Sequence, residues 1–152
     1  MERNQRRVLL VHGLDSMDLA RLQLMGHELV LIHQENGGGL IRDLIDNKGT
    51  PASAELPPER VVIFNGYSDE ELKAGVTGIR STFPVRPIIA AVTDNSYDWS
   101  FEFLLTEHLI QDRDWNLKNS REYRDNLIRE NQAEEARRAQ EQTESDDGSS
   151  MQ

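Results

Sequence analysis

The sequence predicts a small three-layer α/β domain of the Rossmann-like kind. Two β-α-β-α units are expected to share a four-stranded parallel sheet in the order 2-1-3-4. Aliphatic runs at 8–11 and 61–64 have the uninterrupted apolar character of central strands that are buried on both faces. Each run ends at a polar residue followed by glycine, and a helix N-terminus signal comes next. The second strand of each unit is then expected at an edge of the sheet.

The first unit is predicted over residues 7–45. Asp15 stands three residues before Asp18, a spacing that predicts a capped helix N-terminus, and Gly26 is placed to end that helix. A second aliphatic strand follows at 29–32, and a short apolar helix completes the unit.

The second unit is predicted over residues 60–110, after a linker at 46–59 that is rich in Pro, Gly, Ala and Ser. Ser68 and Glu71 form the pattern of a capping box, which predicts the start of its first helix. A strand is expected at 88–92, followed by a helix whose apolar residues share one face.

The two units resemble each other along their length. At an offset of 53 residues the first strand and helix align, and at an offset of 60 the second strand and helix align. The matched positions at the first offset are Arg7, Val8, Gly13 and Leu19 with Arg60, Val61, Gly66 and Leu72. Internal duplication explains the match, and convergence of two similar β-α units is the alternative that the sequence leaves open.

Composition excludes several classes of protein. The formal net charge is −10, and the longest basic stretch before the core is Arg6-Arg7, so no nucleic acid and no anionic membrane is expected as a partner. The chain has no cysteine, which favours a cytoplasmic location and removes thiolate chemistry. Residues 1–111 are predicted to form one domain, and residues 112–152 a charged tail that is either helical or disordered.

A candidate ligand site follows from the predicted sheet. If the two central strands run parallel, their carboxyl ends meet at a topological switch point, where open α/β sheets bind ligands. The polar and glycine residues that would line this crevice are His12, Gly13, Asp15, Asn65, Gly66 and Ser68. The two glycines would allow a ligand to approach the backbone closely.

No catalytic constellation can be assembled around these residues. The start of the chain resembles the strand-His-Gly opening of α/β-hydrolases, but the nucleophile motif G-x-S-x-G is absent. The glycines at 37–39 lack the lysine of a phosphate-binding loop, and Asn65 stands where a phosphoacceptor domain needs an aspartate. His12 and His33 both follow strands, yet their spacing matches no metal signature. No catalytic residue, metal or cofactor is therefore predicted.

The second unit resembles a known family over about residues 60–110. The matching features are an aromatic-x-Gly-aromatic-Ser turn, a Glu-Glu-Leu helix start, a Pro-Ile strand that ends in Thr and a Trp-Ser helix start; they lie at 64–68, 70–72, 87–93 and 99–100. This pattern is similar to that of the bacterial domain of unknown function 3783. Gly75 and Gly78 depart from it, since the family usually has Leu there. The resemblance implies a fold and a bacterial source, but no activity.

Two functions remain for this sequence. The preferred one is a non-catalytic interaction or regulatory module that binds a protein partner, with Trp99 either in the core or as an anchor for that partner. The alternative is a binding site for a small molecule, such as a nucleotide or metabolite, at the paired turns. The sequence does not predict an oligomeric state.

Overall fold

The computed structural model describes residues 3–150, apart from the side chains at 120–124, 126–127 and 141–150. The chain divides into two compact units, residues 1–111 and residues 112–152. The elements of the chain are β1 Val8–His12, α1 Ser16–Leu24, β2 Leu29–Ile32, α2 Ile41–Ile45, β3 Val61–Asn65, α3 Asp69–Thr82, β4 Ile88–Ala91, a 3₁₀ turn Ser96–Asp98, α4 Phe101–Leu104, a π-helical turn Leu105–Leu109 and α5 Ile110–Ser150.

The four strands form one sheet in the order β2-β1-β3-β4, which confirms the predicted order. The prediction of an all-parallel sheet is wrong, because the two central strands run antiparallel, with Val8 opposite Asn65 and His12 opposite Val61. The pairs β1/β2 and β3/β4 are parallel, as a strand-helix-strand crossover requires. The sheet is therefore mixed.

The sheet has helices on both faces. On one face α1 and α3 cover alternate side chains of the central strands, including Leu9, Val11, Val62 and Phe64. On the other face α2 and α4 cover the remaining ones, such as Leu10 and Ile63. Because both faces are covered, all five residues of β3 are buried, as its uninterrupted apolar run predicts.

The ladder registers of the two units correspond to each other. Leu9 pairs with Leu29 in the first unit, and Val62 pairs with Ile89 in the second, which are the positions that the offsets of 53 and 60 equate. Across the centre, Leu10 faces Ile63, which is its own counterpart at the offset of 53. An approximate two-fold axis through this pair therefore relates β1 and β2 to β3 and β4.

The second compact unit, which follows both β-α-β-α units in the chain, is helical. Helix α5 spans Ile110–Ser150, and its side chains from Ile128 to Gln140 are exposed. Glu134 and Arg138 form an ion pair one turn apart. No helix among the described residues has both the length and the apolar character needed to cross a membrane.

Candidate functional site

The structure separates the predicted site residues into two groups at opposite ends of the sheet. The carboxyl end of β1 leads into His12, Gly13 and Asp15, here called the Gly13 corner. The carboxyl end of β3 leads into Asn65, Gly66 and Ser68, here called the Gly66 corner. Because β1 and β3 are antiparallel, the two corners do not form the single crevice that the parallel sheet would have given.

Glycine is required at both corners for two reasons. Gly13 and Gly66 have φ angles of 72° and 77°, in the left-handed region that side chains disfavour. A Cβ on Gly13 would lie 2.0 Å from the carbonyl oxygen of Glu59, and one on Gly66 would lie 2.2 Å from that of Gln5. Each glycine thus lies against the backbone that leads into the other unit's first strand, which leaves no room for a ligand between the glycine and that segment.

His12 and Asn65 hold these same backbone segments. His12 Nδ1 lies 2.9 Å from the carbonyl oxygen of Ile32, and Nε2 lies 3.3 Å from that of Pro57. Asn65 Nδ2 donates to the carbonyl oxygens of Asn4 and Arg6 at 3.0 and 2.8 Å. Asn65 and the Nε2 of His12 therefore hold the segments that lead into the other unit, whereas the Ile32 contact of His12 lies within the first unit.

An arginine from each unit reaches the first turn of the other unit's helix. Arg60 pairs with Asp18, whose side chain is only 1% exposed, and lies 3.1 Å from the N-cap residue Asp15. At the equivalent place, Arg7 Nε lies 2.8 Å from Glu71 Oε2, where both side chains are almost half exposed. The two contacts correspond at the offset of 53.

The capping carboxylates are stabilised in their charged form. The backbone N–H of Asp18 donates to Asp15, which lowers the pKa of the Asp15 carboxyl, and Arg60 and Arg21 lower it further. The backbone N–H and hydroxyl of Ser68 lower the pKa of the Glu71 carboxyl in the same way. These residues are explained by capping, and Ser68 and Glu71 form the predicted capping box.

One cleft remains at the Gly13 corner. It has a volume of about 330 Å³ and lies where β1 and β2 end, lined by His12, Gly13 and His33 together with apolar side chains. His33 Nδ1 is engaged by Glu35 at 2.7 Å, so neither histidine offers an unengaged Nδ1 there. Among the described residues, no group of three His, Asp or Glu side chains is placed to hold a metal ion.

A second cleft, of about 250 Å³, lies between α1 and α3 and was not predicted. His27 Nδ1 lies 2.6 Å from the hydroxyl of Tyr67, and the guanidinium of Arg7 lies 4.4 Å from the centre of the Tyr67 ring. Burial and the nearby Arg7 lower the pKa of His27, and burial raises the pKa of Tyr67. Both side chains are thus uncharged at neutral pH.

A group of aromatic side chains, here called the aromatic patch, lies at α4 and consists of Trp99, Phe103 and His108. The Trp99 and His108 rings are stacked, with centroids 4.3 Å apart and an interplanar angle of 11°. Phe103 contacts both rings edge-on at 5.3 and 5.4 Å and remains 43% exposed. Leu40 is also exposed, at 37%, and its backbone forms an isolated antiparallel β-bridge with Ser100, the residue after Trp99.

The π-helical turn Leu105–Leu109 explains why His108 reaches this patch. A π-helical turn holds more residues per turn than an α-helical one, so residues five apart lie closer to the same side of the helix than they do in an α-helix. The turn therefore places His108 over Phe103, while Leu104 and Leu105 stay in the core. Single π-helical turns are frequent at functional sites.

The predicted linker at 46–59 is fixed to the same region of the fold. The carboxylate of Glu102 accepts hydrogen bonds from the hydroxyl and backbone N–H of Ser53, at 2.6 and 2.8 Å, and from the N–H of Ala54. The Ser53 hydroxyl above all, with these N–H groups, lowers the pKa of Glu102. Gln34 also binds this segment, at Ala54 and Leu56.

These features define a three-layer α/β domain with a mixed four-stranded sheet. Residues 60–115 match the model of a family described as a domain of unknown function, DUF3783. The match confirms the resemblance; it covers the second β-α-β-α unit and the first residues of α5, and leaves out the first unit. No curated protein and no solved structure shows a significant match to the chain.

Proposed function

We propose that the protein is a non-catalytic interaction module that binds a partner protein through the aromatic patch. The observation that carries this proposal is the exposed Phe103, whose ring lies edge-on against the stacked rings of Trp99 and His108. Aromatic side chains supply most of the binding energy at many protein interfaces, because they bury a large area and lose little conformational freedom. All three residues lie within the segment that matches the family model.

The charge around the aromatic patch indicates the chemistry of the partner. Glu107 is exposed next to His108, whereas Asp98 beside Trp99 is already paired with Arg42. The whole chain carries a net charge of −10. The partner that complements this surface is a protein segment with an apolar anchor flanked by Lys or Arg. A cytoplasmic and bacterial setting remains part of the proposal.

The two units are proposed to be copies of one ancestral unit. The two-fold related registers, glycine corners and arginine–carboxylate pairs support this origin, since convergence has no reason to reproduce them all. The first unit then serves the second as a structural partner across β1 and β3.

The experiment is site-specific photo-crosslinking from position 103 in cells, followed by binding measurements with the purified captured protein. Phe103→Ala is expected to weaken that binding at least about tenfold, the loss typical of an aromatic hot spot. Val85→Ala is the matched control, because Val85 is another exposed apolar residue, at 55%. Equal effects of the two variants would exclude the aromatic patch as the binding surface.

A second candidate function is small-ligand binding at the Gly13 corner. The observation that favours it is a cleft of about 330 Å³ at this corner. Its lining includes His12 and Gly13, which both belong to the predicted crevice. A thermal-shift screen of nucleotides and metabolites tests it, because a ligand of the native state raises the melting temperature by mass action. Leu31→Trp at the cleft wall should cancel any such shift, and persistence of the shift would place the site elsewhere.

A further inference from the structure

The cleft between α1 and α3 has the features of a second binding site, independent of the aromatic patch. Its polar wall consists of Arg7, His27 and Glu71, and its other walls are made by Met25 and the α3 residues Ala74, Gly75 and Gly78. The two glycines present no side chain to the space. A Cβ on Gly78 would lie 3.3 Å from the sulfur of Met25, which is on the other wall of the cleft. A larger side chain at position 78 would therefore enter the cleft.

Comparison with the Gly13 corner shows what is specific to this place. At the offset of 53, Tyr67 corresponds to Leu14 and Gly78 to Met25, and at the offset of 60 His27 corresponds to Pro87. His27 of the first unit and Tyr67 of the second unit are therefore both polar where the other unit has an apolar residue. Met25 and Gly78 correspond to each other, and both line this same cleft. Core packing does not require the hydrogen-bonded polar pair, since the equivalent positions hold Pro87 and Leu14.

The hydrogen-bonding capacity of the cleft defines the ligand. His27 Nδ1 is engaged with the Tyr67 hydroxyl, and its Nε2 forms no hydrogen bond with any described residue. If Tyr67 donates to Nδ1, Nε2 carries the proton and donates; if Nδ1 donates to Tyr67, Nε2 accepts. The pair thus offers either polarity to a ligand by a shift of tautomer.

The charge of the cleft is balanced. Arg7 is paired with Glu71 through Nε, and it stacks on Tyr67. Because the guanidinium and the carboxylate pair with each other, the cleft offers an ionic ligand no unpaired opposite charge from these two side chains. We propose that this cleft binds a small uncharged molecule with a hydrogen-bond donor and acceptor side by side, of which a primary or ring amide is the simplest example.

The test uses the full chain and three probes of similar size: isobutyramide, isobutyrate and isobutylammonium. Each is titrated while NMR follows the ring nitrogens of His27 and the backbone amides of Gly75 and Gly78. Isobutyramide is expected to give saturable shifts and to bind at least about fivefold more tightly than either ion, which corresponds to about one hydrogen bond. Tighter binding of an ion, or no saturable shift with any probe, would overturn the proposal.

Variants locate the site. Tyr67→Phe should weaken isobutyramide about tenfold, because it removes the hydroxyl that orients His27. Gly78→Leu and Ala74→Leu should abolish binding by filling the cleft, whereas Thr77→Leu, at an exposed neighbouring position on α3, should not. Binding that survives both filled-cleft variants in folded protein would show that the probe occupies another place.

Discussion

The Gly13 corner and the Gly66 corner share one backbone design but differ in what surrounds it. At the Gly13 corner, the carboxylate that pairs with the other unit's arginine is that of Asp18, which is fully buried and contacts both Arg60 and Arg21. At the Gly66 corner, the corresponding carboxylate is that of Glu71, whose side chain is 44% exposed and pairs with Arg7. The buried Asp18 ion pairs therefore stabilise the fold, whereas Arg7 and Glu71 remain accessible and line the cleft at His27.

The difference extends into the core beneath each corner. Val11 and Leu22 fill the space in the first unit, and Phe64 and Gly75 occupy the equivalent places in the second. A Cβ on Gly75 would lie 2.6 Å from the Phe64 ring, so the large ring and the missing side chain compensate each other. The two units thus share a backbone arrangement but differ in the side chains that fill it.

The largest expected effects test what the corners have in common. Gly13→Ala and Gly66→Ala should each destabilise the protein by at least about 3 kcal/mol, because each combines a positive φ with a backbone clash. Urea unfolding monitored by circular dichroism measures both. A small loss of stability from one of these substitutions and a large loss from the other would show that the two glycines are not structurally equivalent.

The next effect tests what separates the corners. Arg60→Ala leaves a buried carboxylate with a single partner and should cost about 3 kcal/mol, whereas Arg7→Ala breaks a half-exposed pair and should cost about 0–1 kcal/mol. Both are measured by the same urea unfolding. Losses of equal size would mean that the burial of Asp18 carries no energetic consequence.

Removal of the helix caps should have a smaller and similar effect at the two corners. Asp15→Ala and Ser68→Ala each remove a side chain that accepts from a backbone N–H of the first turn, so each should lower the urea midpoint by less than Arg60→Ala does. Asp15→Ala should be slightly worse, since Asp15 also contacts Arg60. If Ser68→Ala destabilised the protein and Asp15→Ala did not, the N-terminus of α1 would have to be capped by a group other than Asp15.

The smallest effect concerns pH. The lowered pKa of Glu71 means that the folded state favours its ionised form, so its contribution is present above about pH 4 and is lost as pH falls through the native pKa. Glu71→Gln should therefore reduce the loss of stability on acidification, measured by thermal unfolding between neutral and acidic pH. Glu70→Gln, on the exposed side of the same turn, is the control, and identical pH profiles for both variants would contradict this role.

The sequence predicts much of this fold because its signals are local. Uninterrupted apolar runs, capping pairs and glycines after strands identify the elements and the central position of β1 and β3. The relative direction of these two strands is not a local property, since residues 46–59 join the units without a helical crossover that would force parallel pairing. The prediction of a single crevice depended on parallel pairing of β1 and β3, and the antiparallel pairing removes that support.

The cleft at His27 was missed because His27 and Tyr67 are distant in sequence and neither belongs to a motif. The internal comparison contains the only available signal: both are polar where the other unit has Pro87 or Leu14. The sequence places Trp99 either in the core or as an anchor for a partner, and its side chain packs against the core and stacks on His108. Nothing in the local pattern predicts the π-helical turn that brings His108 to Trp99.

Antiparallel pairing of β1 with β3 is the claim on which the comparison of the corners rests. NMR measurement of nuclear Overhauser effects between Hα protons tests it directly, because antiparallel strands bring Hα atoms of alternate facing pairs into close contact and parallel strands do not. We expect such Hα–Hα contacts at alternate pairs between Val8–His12 and Val61–Asn65, centred on Leu10 and Ile63. Contacts that instead run in the same direction along both strands, from Val8 near Val61 to His12 near Asn65, would contradict the account.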